Sequence, residues 1–165
     1  MGSDSFFIDD STPHAGIIVS GNTLVREQTS GWVTLRATHA LTSNCRTFAV
    51  RIVDVGQSSD GSGLMIGLLP KLPSSAVALL GTKYISELGG WCLSRAGDCY
   101  GTWKCDRIPF TAGSVVEFEV DFATKTVHVV CGKEVAVGHI ASLSEAEEVY
   151  PAISLYYTGQ KVVML

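Results

Sequence analysis

Phe110 to Asp121 reads F-T-A-G-S-V-V-E-F-E-V-D, Lys125 to Gly132 reads K-T-V-H-V-V-C-G, and Val149 to Leu165 reads V-Y-P-A-I-S-L-Y-Y-T-G-Q-K-V-V-M-L. In the first run Val116, Phe118, Val120 and Phe122 alternate with Glu117, Glu119 and Asp121. A period of two with one apolar and one acidic face marks a half-buried antiparallel strand. Thr124-Lys125 turns this strand into Val127 to Cys131, and Gly132-Lys133 turns that one into Val135 to Val137. The last run supplies two more strands, one on each side of Thr158-Gly159.

The same grammar extends towards the start of the chain. Gly16 to Val19 and Thr23 to Arg26 are short strands joined at Gly21-Asn22. From Trp32 to Ala37, Val33, Leu35 and Ala37 share one face, while Trp32, Thr34 and Arg36 share the other. Thr47 to Val55 is rich in β-branched and aromatic residues, with Phe48, Val50 and Ile52 on one side. Gln57 to Gly63 is a Ser/Gly/Asp turn, and Leu64 to Leu69 is apolar throughout, as suits a strand covered on both faces. Beyond Pro73, Ala76 to Leu80 forms one short helical turn, and Trp91 to Ser94 pairs with Cys99 to Thr102 as a hairpin. Short strands every eight to twelve residues with turn signals between them predict an all-β fold. Clean alternation in most runs favours a two-sheet antiparallel β-sandwich with little or no helix. Residues 1–15 read as a flexible lead-in and 16–165 as a single domain.

Composition narrows the function classes. The chain has 165 residues, 46% of them hydrophobic, enough for one core. A formal net charge of −4 and the lack of a basic stripe argue against direct nucleic-acid binding. Glu145, Glu147 and Glu148 read as a solvated turn. Five cysteines cannot all pair within one chain, no apolar run reaches a membrane-spanning length, and the N-terminal residues lack the pattern of a signal peptide. These features predict an intracellular, cytoplasmic setting and no membrane association.

The chain from Gly16 to Leu165 resembles the SPRY family. The resemblance rests first on Val120-Asp121-x-x-x-Lys125-Thr126-Val127. It continues in Tyr150-Pro151-Ala152-Ile153-Ser154-Leu155 and Gly159-Gln160-Lys161-Val162. Phe48 to Ile52, Met65 to Leu68 and Gly90-Trp91 support it, and Ala78-Leu79-Leu80-Gly81 is similar to the SOCS-box-associated branch. Val129, Cys131-Gly132 and Gly113-Ser114 depart from common family residues at structural positions. The resemblance implies a module that binds peptides or proteins through loops at one end of the sandwich. Carried over residue by residue, the loop after the early strand is Arg26, Glu27, Gln28, Thr29 and Ser30. The aromatic of the closing loop is Tyr157, or Tyr156 one residue earlier, with Thr158 beside them. Where the SOCS-box branch has another aromatic before its Ala-Leu-Leu-Gly stretch, this chain has Ser74 and Ser75, and Tyr84 is the ring available to replace it.

The sequence offers little to catalysis or to a cofactor. Cys92, Cys99 and Cys105 lack the close pairs of a structural zinc site. His128 and Cys131, three apart on a strand, project to opposite faces and cannot form a dyad. No G-x-S-x-G elbow and no phosphate loop occur. His14, His39 and His139 fall in or beside expected loops. The expectation is a non-enzymatic interaction domain without cofactor or metal. A partner peptide would supply backbone hydrogen bonds and one apolar side chain against Tyr157. Adjacent strand residues face opposite ways, so one of Tyr156 and Tyr157 is expected to pack inward and the other to reach the loop end. The alternative is a scaffold subunit of a larger assembly, such as an RNA-processing or ubiquitin-ligase complex, that docks through a sheet face. An enzyme built on a β-sandwich is the third reading.

Overall fold

Alternation along the strands sorts the side chains into layers. On the strand Val115–Asp121, Val116, Phe118 and Val120 are fully buried while Val115 and Glu117 are exposed. The computed structural model describes residues 6–9, 16–27, 31–57 and 63–165. Numbered in chain order, the strands are β1 (Ile17–Ser20), β2 (Thr23–Arg26), β3 (Val33–Arg36), β4 (Thr47–Val55), β5 (Leu64–Pro70), β6 (Trp91–Ser94) and β7 (Cys99–Tyr100). They continue as β8 (Lys104–Cys105), β9 (Val115–Asp121), β10 (Thr126–Cys131), β11 (Glu134–His139), β12 (Val149–Leu155) and β13 (Gln160–Met164). The larger sheet runs β1-β2-β13-β4-β9-β10-β11-β8 and the smaller β3-β12-β5-β6-β7, with every paired neighbour antiparallel. Among the described residues, helix is confined to three 3-10 segments, Ser74–Gly81, Ile85–Leu88 and Glu145–Glu147. None is long and apolar enough to cross a membrane. The expected all-β two-sheet sandwich is the observed fold.

The principal core lies between the sheets. Phe48 stacks on Phe118 with centroids 5.0 Å apart, and Val33, Leu35, Ile66, Leu93, Val129 and Val162 complete the interior around them. Strand β5 is buried on both faces, as its apolar run requires. Leu64, Ile66 and Leu68 enter this core, whereas Met65 and Leu69 enter a second cluster on the other side of the small sheet. There Leu72, Leu80, Ile85 and Leu88, from the 3-10 helices and the chain leading into them, cover the outer face. The short helical segment expected before Gly81 is therefore a lid on the small sheet.

The motif Asp121-x-x-x-Lys125 builds the β9–β10 turn. An Asp121 carboxylate oxygen accepts the Thr124 N–H at 3.1 Å, and this bond holds its pKa below the ordinary range. Lys125 adopts φ 58°, a left-handed conformation, and its Nζ donates to Leu143 O at 2.7 Å, pinning the segment before β12. At the next hairpin Cys131 pairs with Glu134 across two residues. Gly132 supplies the positive φ, 62°, that such a tight turn needs.

The lead-in expected over residues 1–15 needs correction at Phe6–Asp9. Phe6 is 1% exposed, stacked on His39 at 4.6 Å and edge-on to Phe48 at 6.4 Å. Ile8 forms an isolated antiparallel bridge with Ala37. Asn22 holds the segment in place: its Oδ1 accepts the Ile8 N–H at 2.9 Å and its Nδ2 donates to Phe6 O at 2.7 Å. Burial of two apolar side chains, with the backbone bonded to one amide, outweighs the polar character of the flanking sequence. Phe6→Ala should accordingly lose about 3–5 kcal/mol in urea unfolding. A loss below about 1 kcal/mol would place Phe6 outside the cooperative core.

Candidate functional site

From one end of the sandwich onto the outer side of the small sheet, four separate chain segments bring five aromatic rings into one contiguous row. Tyr157 contacts Tyr156 at 4.8 Å between centroids, Tyr156 contacts Trp32 at 5.1 Å, Trp32 contacts Tyr84 at 4.9 Å, and Tyr84 contacts Tyr100 at 6.5 Å. The interplanar angles along the row are 63°, 69°, 50° and 78°, so each ring meets the next at a steep tilt. All five side chains are half-buried. Trp32, Tyr84 and Tyr100 pack against the Met65–Leu69 cluster on the outer side of the small sheet.

The turn carrying Tyr156 and Tyr157 is fixed by Gln160, whose side chain is fully buried. Its Oε1 accepts the N–H groups of Tyr156 and Tyr157 at 2.8 and 2.9 Å, and its Nε2 donates to Gly63 O at 2.9 Å. These bonds draw the backbone out of the β12 ladder after Leu155. Strand alternation therefore does not apply to the two tyrosines. The expectation that one packs inward and the other reaches outward is corrected: both are half-buried and touch each other. Tyr157 also lies against Gly63, where a Cβ would overlap its ring, so the close approach requires glycine.

Tyr84 is clamped from both sides. The Thr34 hydroxyl donates to Lys83 O at 2.6 Å and receives the Ser154 hydroxyl at 2.7 Å, while Ser154 Oγ accepts the Ile85 N–H at 3.1 Å. Glu87 Oε1 accepts the N–H of Tyr84 itself at 3.2 Å. Thr34 and Ser154 are buried side by side across β3 and β12, so this polar relay sets where the ring emerges. Ser94, two residues from Cys92 on the same strand face, is fully buried, and its hydroxyl has no partner among the described residues.

The expected site residues divide. Tyr84, Tyr156 and Tyr157 meet in the row through Trp32. Arg26 is the last residue of β2, not a loop residue, and is only 3% exposed. Its guanidinium donates to Gly31 O at 3.0 Å, its carbonyl accepts the Gly159 N–H at 2.8 Å, and its burial lowers its pKa. It shapes the loops from behind. Glu27 is half-buried with its N–H on Gly16 O at 2.7 Å, and Thr158 O accepts the Gln57 N–H at 3.1 Å. Ser74 and Ser75 are exposed at the start of the first 3-10 helix, and the ring contacts do not include them. Gln28, Thr29 and Ser30 lie outside the described residues.

Trp32 and Tyr100 are the members that sequence reasoning missed. The available signal was the outward face shared by Trp32 and Thr34, which put a large aromatic opposite the core-facing Val33 and Leu35. The cysteines are all free thiols, and the described residues contain no group of three metal-ligating side chains. His128 and Cys131 stand apart as expected, with Cys131 packed against the main core.

Two antiparallel sheets packed face to face, with loops gathered at one end, define a β-sandwich. Its particular form is the SPRY-like fold. No family model and no curated protein matches the chain. Solved structures do. A human SPRY domain is 19% identical with a TM-score of 0.70, over 93% of this chain and 96% of that one. The SPRY domain of human HERC1 is 21% identical with a TM-score of 0.65, over 90% and 91%. The NHR1 domain of Drosophila melanogaster Neuralized is 12% identical with a TM-score of 0.70, over 98% of each chain.

Two outcomes follow. Gln160→Ala should cost about 2–3 kcal/mol, because three backbone groups lose a buried partner, and should shift the Tyr156 and Tyr157 amide resonances. Unchanged resonances would show that Gln160 does not hold the turn. Burial pushes the Cys92 thiol up to about 12, so the native protein should leave Cys92 unalkylated by iodoacetamide at about pH 8 and expose it only on unfolding. Peptide mass mapping reads this directly, and native alkylation of Cys92 would contradict its buried placement.

Proposed function

We propose that the domain is a non-catalytic protein–protein interaction module that binds a peptide or loop of a partner protein through the loop end of the sandwich. The observation that carries the reading is the row of five aromatic rings. Tyrosine and tryptophan combine large apolar area with a polar atom, and they are enriched where binding energy concentrates. Here they are held by a buried amide, a hydroxyl relay and two rigid sheets, so little conformational entropy remains to be lost on binding. Likeness to SPRY domains in fold supports the same reading. Arg26, Glu27 and Thr158 support the loops, and Gln28, Thr29, Ser30, Ser74 and Ser75 are the flanking positions through which a partner would extend its contact.

A second reading places the contact on the outer face of the large sheet, as a scaffold subunit would use it. Val135 and Val137 are 60% and 44% exposed there, and β10–β11 pairing sets Val130 opposite Val135 and His128 opposite Val137. Exposed Val53 and Val115 lie on the same sheet, with exposed Arg51 and Glu117 between them and Val135.

One comparison separates the two. Partners captured from lysate by the wild-type domain are tested against Tyr157→Ala and against a Val135→Lys, Val137→Lys double variant, each first shown to melt cooperatively. Loop-end binding predicts that Tyr157→Ala weakens capture at least about tenfold while the valine variant binds normally. The reverse pattern would move the interface to the sheet face.

A further inference from the structure

We propose that strand β1, the edge of the large sheet, pairs antiparallel with β1 of a second copy of this chain about a twofold axis through Ile18. The inference is independent of the loop-end reading. Hydrogen bonding alternates along an antiparallel strand, so every second residue turns its N–H and C=O away from its neighbour. The Glu27 N–H on Gly16 O at 2.7 Å sets the phase. Gly16, Ile18 and Ser20 bond towards β2, opposite Glu27, Val25 and Thr23, while Ile17 and Val19 direct their main-chain groups outward. Beyond β1 the sheet has no further strand among the described residues, and these four groups have no partner there. Natural edges are kept from pairing by shortness, charge, proline or a covering segment. Strands β7 and β8 are two residues long, and β8 carries Lys104. On β3, Ile8 bridges Ala37, the Asp9 N–H bonds Arg36 O, and Thr34 has no solvent exposure. Strand β1 reads Ile-Ile-Val-Ser, without charge or proline.

Self-complementarity sets the occupant. Two β1 strands laid antiparallel with Ile18 opposite Ile18 place Ile17 opposite Val19 twice. Each of these pairs exchanges two N–H···O bonds, so all four outward groups are used. A slip of one residue sets outward groups against inward ones, and a slip of two leaves a single bonded pair within β1. The same register puts Ile18, 52% exposed, against its own twin. That is a non-hydrogen-bonded position, where Cα atoms approach to about 4.5 Å and side chains lie closest. Val25 is beside Ile18 on the outer face, and exposed Lys161 is beside Val25. The row across the axis is therefore Lys161, Val25, Ile18, then Ile18, Val25 and Lys161 of the other copy. At about 4.8 Å per strand the two lysines stand about 24 Å apart, well beyond the screening length of about 8 Å at physiological salt. Apolar side chains meet at the axis and no like charges do. Because β1 runs away from the Arg26 end, the two loop ends of the pair point in opposite directions and stay open.

The test uses the full chain. One strand pair is a small interface, so sedimentation is followed from about 10 μM to about 1 mM, where a weak dimer should appear. Val19→Pro deletes an outward N–H that makes no bond within the chain, and proline is tolerated at such an edge position. The variant should melt as the wild type does and dimerise at least about tenfold more weakly. Ile18→Cys gives a second readout that needs no change in stability. Its thiols would face each other across the axis within disulfide reach, and oxidised glutathione should convert the protein to a covalent dimer. The wild type, with its five native cysteines, and Ser20→Cys, which falls opposite Gly16, should stay uncross-linked. A concentration-dependent dimer trapped at Ile18 supports the proposal. A monomer at about 1 mM with no trapping at Ile18 overturns it. A dimer that is indifferent to Val19→Pro and is not trapped at Ile18 joins through another surface, and overturns it equally.

Discussion

One buried amide organises the functional end of this sandwich. Gln160 opens the last strand of the large sheet, yet its side chain bonds to the turn after β12 and to Gly63 at the entrance to β5, both in the small sheet. A polar side chain with no solvent exposure is tolerable only when its hydrogen-bonding capacity is used, and here three backbone groups use it. The cost of leaving any of them unpaired ties the two sheets together where the rings emerge. Position and orientation of Tyr156 and Tyr157 thus follow from a constraint that neither tyrosine contributes.

The opposite side of the row has its own polar fastening. Thr34 and Ser154 sit on neighbouring strands of the small sheet and pass hydrogen bonds to the backbone on either side of Tyr84. Apolar packing alone would let a 3-10 helix slide over the sheet, since burial is non-directional. Hydroxyl geometry removes that freedom. Hydrophobic contact holds the lid down, and directional bonds set its register.

Much of this was legible in the sequence. The alternation from Val116 to Val120, the shared face of Val33, Leu35 and Ala37, and the unbroken apolar run at Leu64 to Leu69 are local patterns, and each fell where the pattern put it. The harder features are non-local. Tyr156 and Tyr157 read as strand residues because nothing beside them shows that an amide three to four positions later will take their N–H groups. Arg26 read as the first residue of a binding loop because burial at a strand end depends on loops that close over it. Trp32 and Tyr100 belong to one site only after four segments converge, and Phe6 joins the core through Asn22, which is distant in sequence. Period and turn chemistry carried the architecture, whereas convergence of side chains had to be seen.

Asn22 has one more consequence. Besides holding Phe6 and Ile8 through its side chain, it accepts the Met164 N–H on its carbonyl at 2.9 Å, and Leu165 N–H reaches Ala49 O nearby. The first and last described residues therefore meet around a single asparagine, at the end of β2 remote from Arg26 and the aromatic row. A polypeptide can enter and leave this sandwich through one doorway at its back.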